Sequence, residues 1–562
     1  MVFVTDRARR PTAASSHWLS DLVLLWSGTC VLLVAVILWF DNAQGGLTGN
    51  GIFKSMEMKP WIADPRSATL NASNYLYYPV YGALCRVLDG LGVFAGDPRR
   101  QMTILNALSA SFCICVVYAM VRRLTGDRVL AFIASAFHIA SSFVLLLAIT
   151  NEDIMPSYTV LFASMALAAV WFARPTPLRI VIVSVIFSIG WLFEWRLMFP
   201  TLPAMLAALW LCAPSWRDRI AFGTVFLAGM LGTATVASLA GHGHNGAVGP
   251  IELIWTGKAV GSAWAGFSWL KALNTIDGTV AYLLGTGVTN YPPFFGWDLW
   301  RVLGMLAIVA IAAVSTPALW RRRSDNGVRA VAVVFGGTFV AGLVFNLYSQ
   351  PQDPQMQINI MGWLTVGWML VAIAACGRWG VRGLAAAGAA PLVLLAYNIW
   401  SLAPLRGLDG AWQRSVAHIG HDAPPERTVF IINDFDWFMV YASLHWGQAE
   451  PGVATLGPAP QEKPVFKWIG VGSDLLRHSD WSVEQHVAGL QAQIDRALEL
   501  GYDVLISQQW ELDEPGLAAT IGTLSNRSHA GALWRMLHAH YRADKAFDDV
   551  LGGRFYRLRR IP

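Results

Sequence analysis

Long apolar runs recur along the chain, and they constrain its fold more than any other feature. A helix that spans a bilayer needs about 20 mostly apolar residues, and about eleven stretches of the sequence meet this requirement. They cover residues 22–40, 102–121, 129–149, 154–173, 178–193, 197–213, 220–240, 302–320, 330–348, 358–376 and 383–404. The sequence therefore predicts a polytopic α-helical membrane protein.

The composition agrees with this prediction and limits the possible partners. Of the 562 residues, 55% are hydrophobic and only 14% are charged, whereas about a quarter of the residues of a typical soluble domain are charged. The net charge of +5 comes from Lys and Arg residues that are scattered between the apolar runs and form no basic face. We therefore expect membrane lipids as partners and no nucleic acid. The six Cys residues lie almost entirely in apolar stretches, so they predict no disulfide framework.

The basic residues of the short connections predict the orientation of the chain. Short cytoplasmic loops collect Lys and Arg, and the basic connections fall on one side of the membrane when eleven spans are counted. These are residues 122–128, 173–179, 215–219, 321–323 and 377–382, together with the basic N-terminal residues. We therefore expect a protein of the inner membrane with a cytoplasmic N-terminus, a retained first span and an outer segment after residue 404.

This orientation divides the chain at residue 404. Residues 1–404 would form a transmembrane domain with long outer loops at 41–101 and 241–301. Residues 405–562 would form a small extracytoplasmic α/β domain. In that domain, the pattern predicts a strand followed by a helix within 427–446, a second strand within 502–511 and a closing strand within 552–560.

Three carboxylates lie at predicted outer ends of spans. Glu152 and Asp153 separate the third and fourth apolar runs, and Asp41 directly follows the first run. One interpretation is structural, because a helix N-terminus favours nearby negative charge. The alternative is that the three side chains converge at a membrane-surface site, where Glu152 and Asp153 would hold Mg²⁺ or Mn²⁺ against a phosphate.

At these residues the chain resembles the GT-C superfamily of integral-membrane glycosyltransferases, of the protein O-mannosyltransferase and aminoarabinose transferase type. The segment FDNAQGG at 40–46 resembles the acidic motif of the first outer loop, and NED at 151–153 resembles the acidic pair of the second. The segment NYLYYPVYGAL at 74–84 resembles the Tyr/Pro-rich helix start that follows the first loop. One departure is Asn42, because many relatives carry Glu after the first Asp.

The resemblance implies a hexosyl- or pentosyltransferase. Such an enzyme moves a sugar from a polyprenyl-phosphate donor to a glycan, lipid or protein acceptor on the outer face of the membrane, with inversion at the anomeric carbon. Asp41 would be the general base, and Glu152 and Asp153 would hold a divalent cation or orient the donor.

Further candidates come from the outer turns and loops. Arg196 could bind the lipid phosphate with paired donors, or it could form a local ion pair with Glu194. Tyr78, Glu194, Tyr291 and Asp353 are candidate substrate-binding residues.

For three of the histidines, the surrounding sequence favours a structural role. His242 and His244 lie between Gly and Asn residues, which indicates an exposed loop more than a metal site. His138 lies inside a predicted span, about 21 Å from Glu152 along an ideal helix. We therefore expect it to be buried and hydrogen-bonded.

Two other classes of function stay open at this point. A transporter or flippase of a lipid-linked or envelope precursor would also have many spans, but it would place ionisable or helix-breaking residues near the bilayer midplane. A scaffold protein would use the outer domain for binding, with residues 433–437 as its contact.

Overall fold

The computed structural model describes most of the chain. The described residues are 17–41, 50–254, 275, 278–280, 283–285, 299–321, 324–348, 358–432, 437–447, 456–462, 465–470, 481–521, 527–548 and 553–562. The chain divides into two compact units. The first comprises Met1–Leu47 and Glu57–Arg406, and the second comprises Thr48–Met56 and Gly407–Pro562.

The first unit is built from helices. Those described are α1 (Trp18–Phe40), α2 (Asn50–Ala63, which crosses the division), α3 (Tyr77–Gly90), α4 (Pro98–Thr125), α5 (Arg128–Ala140), α6 (Ser142–Ala148), α7 (Ile154–Trp171), α8 (Pro177–Phe193), α9 (Met198–Cys212), α10 (Trp216–Ala240), α11 (Pro250–Ile254), α12 (Leu299–Trp320), α13 (Asn326–Val331), α14 (Gly337–Tyr348), α15 (Met361–Trp379) and α16 (Val381–Ser401). Shorter turns are the 3₁₀ helices Ala72–Asn74, Trp195–Leu197 and Ala403–Leu405, and a π-helical turn, Ala332–Gly336, between α13 and α14.

These helices confirm the prediction of a polytopic α-helical membrane protein. Among the described residues, nine helices are long and apolar enough to cross a membrane, or ten if the bent pair α5–α6 forms one span. Each predicted run coincides with a described helix or with consecutive helical segments, and these nine or ten spans compare with a predicted number of about eleven. The remaining run is α8, which is apolar but only 17 residues long.

The run at 129–149 is not one straight helix. Its two halves, α5 and α6, are bent by 72°. Ser141, between them, has an extended backbone (φ −63°, ψ 138°) that ends α5. The Asn398 side chain in α16 donates to the carbonyl oxygen of Ala140 at 2.6 Å, which satisfies a backbone acceptor exposed by the break.

Local capping explains where several helices begin. Asp97, Asp127, Thr176 and Ser215 accept backbone N–H groups at the starts of α4, α5, α8 and α10. A side-chain oxygen at this position satisfies a donor that has no partner within the helix.

Burial separates central helices from peripheral ones. In the most apolar 18-residue stretch of α7, 72% is buried, and in that of α4, 61% is buried. In the corresponding stretch of α1, only 17% is buried. The exposed apolar surface of α1 is typical of a helix that faces lipid, and α4 and α7 position the residues of the candidate site.

The second unit contains a five-stranded sheet with helices on both faces. Its strands are β1 (Thr428–Ile432), β2 (Trp468–Gly470), β3 (Asp503–Ser507), β4 (Tyr541–Asp548) and β5 (Arg554–Arg560). Its helices are α17 (Leu408–Asp422), α18 (Trp437–Trp446), α19 (Val483–Glu499), α20 (Glu514–Ile521) and α21 (Arg527–His540), with a 3₁₀ turn at Gln508–Glu511.

The strand order is β2-β1-β3-β5-β4. Strand β1 runs parallel to β2 and β3, whereas β5 is antiparallel to β3 and β4. The predicted strands at 427–446, 502–511 and 552–560 correspond to β1, β3 and β5. Strands β2 and β4 were not predicted: β2 has only three residues, and β4 directly follows a helix.

Successive side chains along the strands alternate between two apolar cores, one on each face of the sheet. Val429 and Val504 belong to a cluster that also contains buried residues of α19, α20 and α21. Phe430, Leu505 and Phe555 belong to a second cluster, which contains buried residues of α17 and α18. Because successive side chains of a strand point to opposite faces, α18 packs on one face of the sheet and α19–α21 pack on the other.

Candidate functional site

Several helix ends of the first unit are joined by hydrogen bonds between polar residues. Asp41 follows α1 and pairs with Arg100 in the first turn of α4. Further along α4, Asn106 donates to the carbonyl oxygens of Thr150 and Glu152, just before α7. We call this region, where α1 and α8 end and α4 and α7 begin, the carboxylate end of the unit.

A single side-chain amide joins two carboxylates there. The Nδ2 atom of Asn74 donates to Asp153 Oδ2 at 2.6 Å, to Glu194 Oε2 at 2.8 Å and to the carbonyl oxygen of Phe193 at 3.1 Å. The two carboxylate oxygens therefore lie at most about 5.4 Å apart, since both contact one nitrogen. Asp153 and Glu194 are 0% exposed and Asn74 is 4% exposed. We call these three residues the Asn74 bridge.

The backbone around Asn74 is fixed on both sides. Asn71 caps the 3₁₀ turn Ala72–Asn74 by accepting the N–H of Ser73 at 3.0 Å. Two residues after Asn74, the N–H of Leu76 donates to the carbonyl oxygen of Leu192 at 2.9 Å. The segment is thereby fastened to the end of α8, which brings Asn74 beside Glu194.

Glu194 and Arg196 form the local ion pair that the sequence left open. Glu194 ends α8 with an extended backbone (φ −154°, ψ 104°) and caps the turn Trp195–Leu197. Arg196 donates to its carboxylate through Nε at 2.6 Å and through Nη2 at 3.1 Å. The Arg196 side chain remains 29% exposed, while that of Glu194 is fully buried.

Glu152 and Asp153 are buried inside the first unit. Both are 0% exposed. Asp153 directly precedes α7, but its side chain makes no capping bond to that helix and instead accepts from Asn74. Asp153 nevertheless occupies the N-cap position of α7, where a helix N-terminus favours negative charge.

Tyrosines of α3 complete the surroundings of the Asn74 bridge. Tyr81 donates to Asn106 Oδ1 at 2.8 Å, which orients the amide that holds the backbone of Thr150 and Glu152. Tyr78 donates to Glu57, and burial together with the Glu57 carboxylate raises the pKa of the Tyr78 phenol well above its ordinary value. Tyr78 is therefore a neutral hydrogen-bond donor at physiological pH.

Asp41 has a different environment from Asp153. It ends α1 in the left-handed conformation (φ 44°, ψ 43°), and its side chain is 63% exposed. Its Oδ1 lies 2.9 Å from Arg100 Nη2. In the described part of the chain, the structure thus brings Asp153, Glu194 and Arg196 together and places Asp41 in a separate ion pair.

His138 is buried and hydrogen-bonded, as the sequence predicts, whereas His242 is exposed and His244 is half-buried. His138 is fully buried, with Nδ1 2.8 Å from Thr365 Oγ1 and Nε2 3.2 Å from the Tyr158 hydroxyl. The His244 ring stacks on Trp61, with 5.5 Å between the ring centroids. Among the described residues, no group of three or more His, Cys, Asp or Glu side chains is arranged to hold a metal ion.

Two sequence candidates, Tyr291 and Asp353, lie outside the described residues, as do residues 433–436. Two residues of the site, Asn74 and Asn106, were not predicted. Asn106 lies inside the predicted span 102–121, where an uncompensated polar residue is a recognised signal of function. Asn74 begins the segment at 74–84 that carries the resemblance, but nothing in the sequence indicates a role for its amide.

Comparisons with known proteins give a structural likeness. No protein-family model and no curated protein matches the chain. ArnT from Cupriavidus metallidurans bound to undecaprenyl phosphate is similar at 15% identity and a TM-score of 0.46, over 94% of this chain and 98% of that one. The apo state of the same protein is similar at 14% identity and a TM-score of 0.47, over 97% and 98% of the two chains. ArnT is a GT-C aminoarabinose transferase.

Proposed function

We propose that this chain is a membrane glycosyltransferase of the GT-C type. It transfers a hexose or a pentose from a polyprenyl-phosphate donor to an acceptor on the outer face of the membrane that it spans. The observation that carries this proposal is the Asn74 bridge, in which two fully buried carboxylates share one amide beside Arg196. Like charges buried so close together are costly, and such arrangements are concentrated at functional sites.

Arg196 is the proposed ligand of the donor phosphate. Glu194 holds two nitrogens of the guanidinium, which fixes its plane, and the side chain is partly exposed. As the sugar–phosphate bond breaks, negative charge grows on the leaving phosphate. A preorganised cation next to that phosphate stabilises the transition state more than the ground state. Asp153, fixed by Asn74, orients the sugar.

Asp41 is the proposed general base. An exposed carboxylate at the end of α1 is accessible to an acceptor hydroxyl from the aqueous side. In the proposed reaction, the acceptor oxygen bonds to the anomeric carbon on the face opposite the phosphate. The proton passes to Asp41, and the phosphate leaves with the electrons of the broken bond. A single displacement of this kind inverts the anomeric centre.

A divalent cation at Glu152 and Asp153 is a further part of the proposal. Mg²⁺ is commonly held by one or two carboxylates together with substrate phosphates. Since the described residues include no group of three or more candidate ligands, the donor phosphate and water would have to supply the remaining ligands. When bound, such a cation would supply charge neutralisation. Loss of donor-dependent Mn²⁺ binding in Glu152→Gln would support this assignment.

The test uses purified full-length chain in lipid nanodiscs with undecaprenyl-phosphate-linked sugars, and with envelope glycans, lipids and proteins supplied as acceptors. We choose this lipid because the ArnT structure binds undecaprenyl phosphate. The expected result is release of undecaprenyl phosphate, together with accumulation of one lipid-linked sugar in a strain without the gene. If no lipid-linked sugar accumulates and the envelope glycans are unchanged in that strain, the proposal is refuted.

The proposed orientation has its own test. The basic connections predict that Arg323 is cytoplasmic and that the second unit, including Gly410, is outside. Reporter fusions at the two positions are expected to report opposite sides. Activity of a cytoplasmic reporter at Gly410 would overturn both the orientation and the outer-face reaction.

One observation favours the alternative of a transporter or flippase. The break between α5 and α6, close to the buried His138, is of the kind found in discontinuous transporter helices. A transporter would move a fluorescent polyprenyl-phosphate lipid across proteoliposomes without any sugar acceptor. Such movement in the parent protein and in Asp153→Asn alike would favour transport over transfer.

A further inference from the structure

The sheet of the second unit has a topological switch point between β1 and β3. The helix that follows β1, α18, packs on one face, and the helices that follow β3, α20 and α21, pack on the other. Strands β1 and β3 are adjacent and parallel, so their carboxyl ends lie at the same edge. In open α/β sheets, ligands bind in the crevice outside this edge, where neighbouring connections leave in opposite directions.

Two polar side chains at that edge are buried without a hydrogen-bond partner in the described structure. They are Ser507, the last residue of β3, and Gln509, two residues later. The two residues are 7% and 6% exposed, and Ser507 Oγ and Gln509 Oε1 have no partner. A buried polar atom without a partner destabilises the fold, and most such atoms are paired in native structures. An external ligand would satisfy both atoms.

The unpaired atoms indicate the chemistry of that ligand. The Gln509 Oε1 atom can only accept a hydrogen bond, so the ligand must donate, and a Ser hydroxyl can donate or accept. The run from Ser507 to Trp510 contains no charged residue. A neutral ligand with several hydroxyl groups fits this set better than a phosphate or a carboxylate does.

Trp510 directly follows Gln509 in the chain, and its aromatic ring is held rigidly. Its indole stacks on the His538 ring at 4.2 Å, and His538 stacks in turn on Trp534 at 4.2 Å. Trp534 is itself held by a 2.8 Å hydrogen bond from Nε1 to the carbonyl oxygen of Leu512. Large, rigid, amphipathic side chains supply contact area at a low cost in conformational entropy.

We propose that the carboxyl edge of β3, with Ser507 and Gln509 as hydrogen-bonding residues and Trp510 following them in the chain, binds a carbohydrate. The residues that indicate a carbohydrate ligand all belong to the second unit. The assignment of that carbohydrate as the acceptor of transfer, which makes the acceptor a glycan, rests on the proposed function.

The experiment measures binding by purified full-length chain in detergent, without donor, to a printed array of neutral oligosaccharides. The array contains oligomers of hexoses, pentoses and N-acetylhexosamines. The parent chain is expected to bind at least one of them. Ser507→Ala with Gln509→Leu is expected to lower that affinity about tenfold, because two hydrogen bonds of ordinary strength are lost.

Thr428→Val is the matched control. Thr428 Oγ1 is also buried without a partner, but Thr428 begins β1 and therefore lies at the opposite edge of the sheet. All three substitutions remove an unpaired polar atom, so none is expected to weaken the fold. Only the changes at the β3 edge are expected to weaken oligosaccharide binding.

Amide hydrogen exchange of β3 verifies that each variant is folded. If the double variant is unfolded, the single variant Ser507→Ala replaces it in the binding measurement. The proposal is overturned if the parent binds no oligosaccharide, or if the β3-edge variants bind as the parent does. Asp153→Asn separates this proposal from the proposed function, because it should bind the oligosaccharide normally while losing transfer. Binding that depends on Ser507 and Gln509 in a chain without transferase activity would support the carbohydrate site and refute only its role as acceptor site.

Discussion

Asp41 and Asp153 look equivalent in the sequence, since each lies where an apolar run meets a polar connection, yet their environments differ. Asp153 is fully buried and shares the Asn74 amide with Glu194, whereas the side chain of Asp41 is 63% exposed and pairs with Arg100. A buried carboxylate requires compensating hydrogen bonds, and an exposed one does not. The comparison separates a fixed acidic site from an accessible one, and this difference is the basis for the proposed roles of substrate positioning for Asp153 and proton transfer for Asp41.

The largest effect is expected for Asp153→Asn. The substitution keeps the shape and, with its amide oxygen towards Asn74, keeps the bridge, but it removes one charge. We expect sugar transfer to fall by about 10³-fold or more, as when a preorganised electrostatic contact is lost. Initial rates in nanodiscs measure this effect, and size-exclusion profiles monitor folding.

Asp127→Asn is the control, because Asp127 caps α5 through its side-chain oxygen and Asn caps helices equally well. The variant with Ala at both Glu152 and Asp153 is less informative, since it would leave the Asn74 donor without the Asp153 acceptor inside the protein. Parental activity of Asp153→Asn would remove Asp153 from the site.

Asp41→Asn tests the accessible side of the comparison. General-base help contributes about 10²–10⁴ in rate, so we expect a loss of that size with little change in donor binding. Arg100→Gln keeps the carboxylate and removes only its ion pair, and its rate should fall about tenfold at most, because exposed ion pairs contribute little. If Asp41→Asn transfers sugar at nearly the parental rate, Asp41 is a helix-end residue without a catalytic part.

Asn74→Ala tests whether the bridge itself matters. Removing the shared donor leaves two neighbouring buried acceptors without it, which costs about 1–3 kcal/mol and corresponds to a loss of about 5–150-fold in transfer. Asn71→Ala is the matched control, because Asn71 is an exposed cap of the same turn. Equal effects of the two substitutions would mean that the turn, and not the shared amide, is what the site requires.

The sequence revealed the spans better than it revealed this bridge. An apolar run of about 20 residues is a local signal, so α1, α4 and α7 were predicted close to their observed positions. The break after Ala140 was not predicted, because no Pro or Gly marks it. Its backbone is satisfied by Asn398, which lies 258 residues further along the chain.

The site shows the same limit. Glu152, Asp153, Glu194 and Arg196 were candidates because charged residues are conspicuous between apolar runs. Their grouping depends on Asn74, which is 79 residues from Asp153 and 120 from Glu194. No periodicity connects residues so far apart, and so the sequence paired Glu152 with Asp153, while the structure joins Asp153 to Glu194.

The smallest effect is expected at Arg196, where the two interpretations from the sequence still compete. If Arg196 binds the donor phosphate, Arg196→Gln should raise the KM for an undecaprenyl-phosphate-linked sugar about tenfold. The substitution removes one charge-assisted hydrogen bond of about 1.5–3 kcal/mol, and the remaining contacts partly offset this loss. Arg196→Lys should recover part of this loss, because Lys keeps the charge but not the paired donors. If Arg196 serves only to neutralise buried Glu194, Arg196→Gln should instead lower thermal stability and leave KM unchanged, since a buried carboxylate without its partner destabilises the fold. Arg196→Lys should then recover part of the lost stability, because Lys keeps the charge. Measuring KM and thermal unfolding on the same preparations decides between the two, and inhibition by free undecaprenyl phosphate should weaken in parallel with KM only if the guanidinium contacts the phosphate.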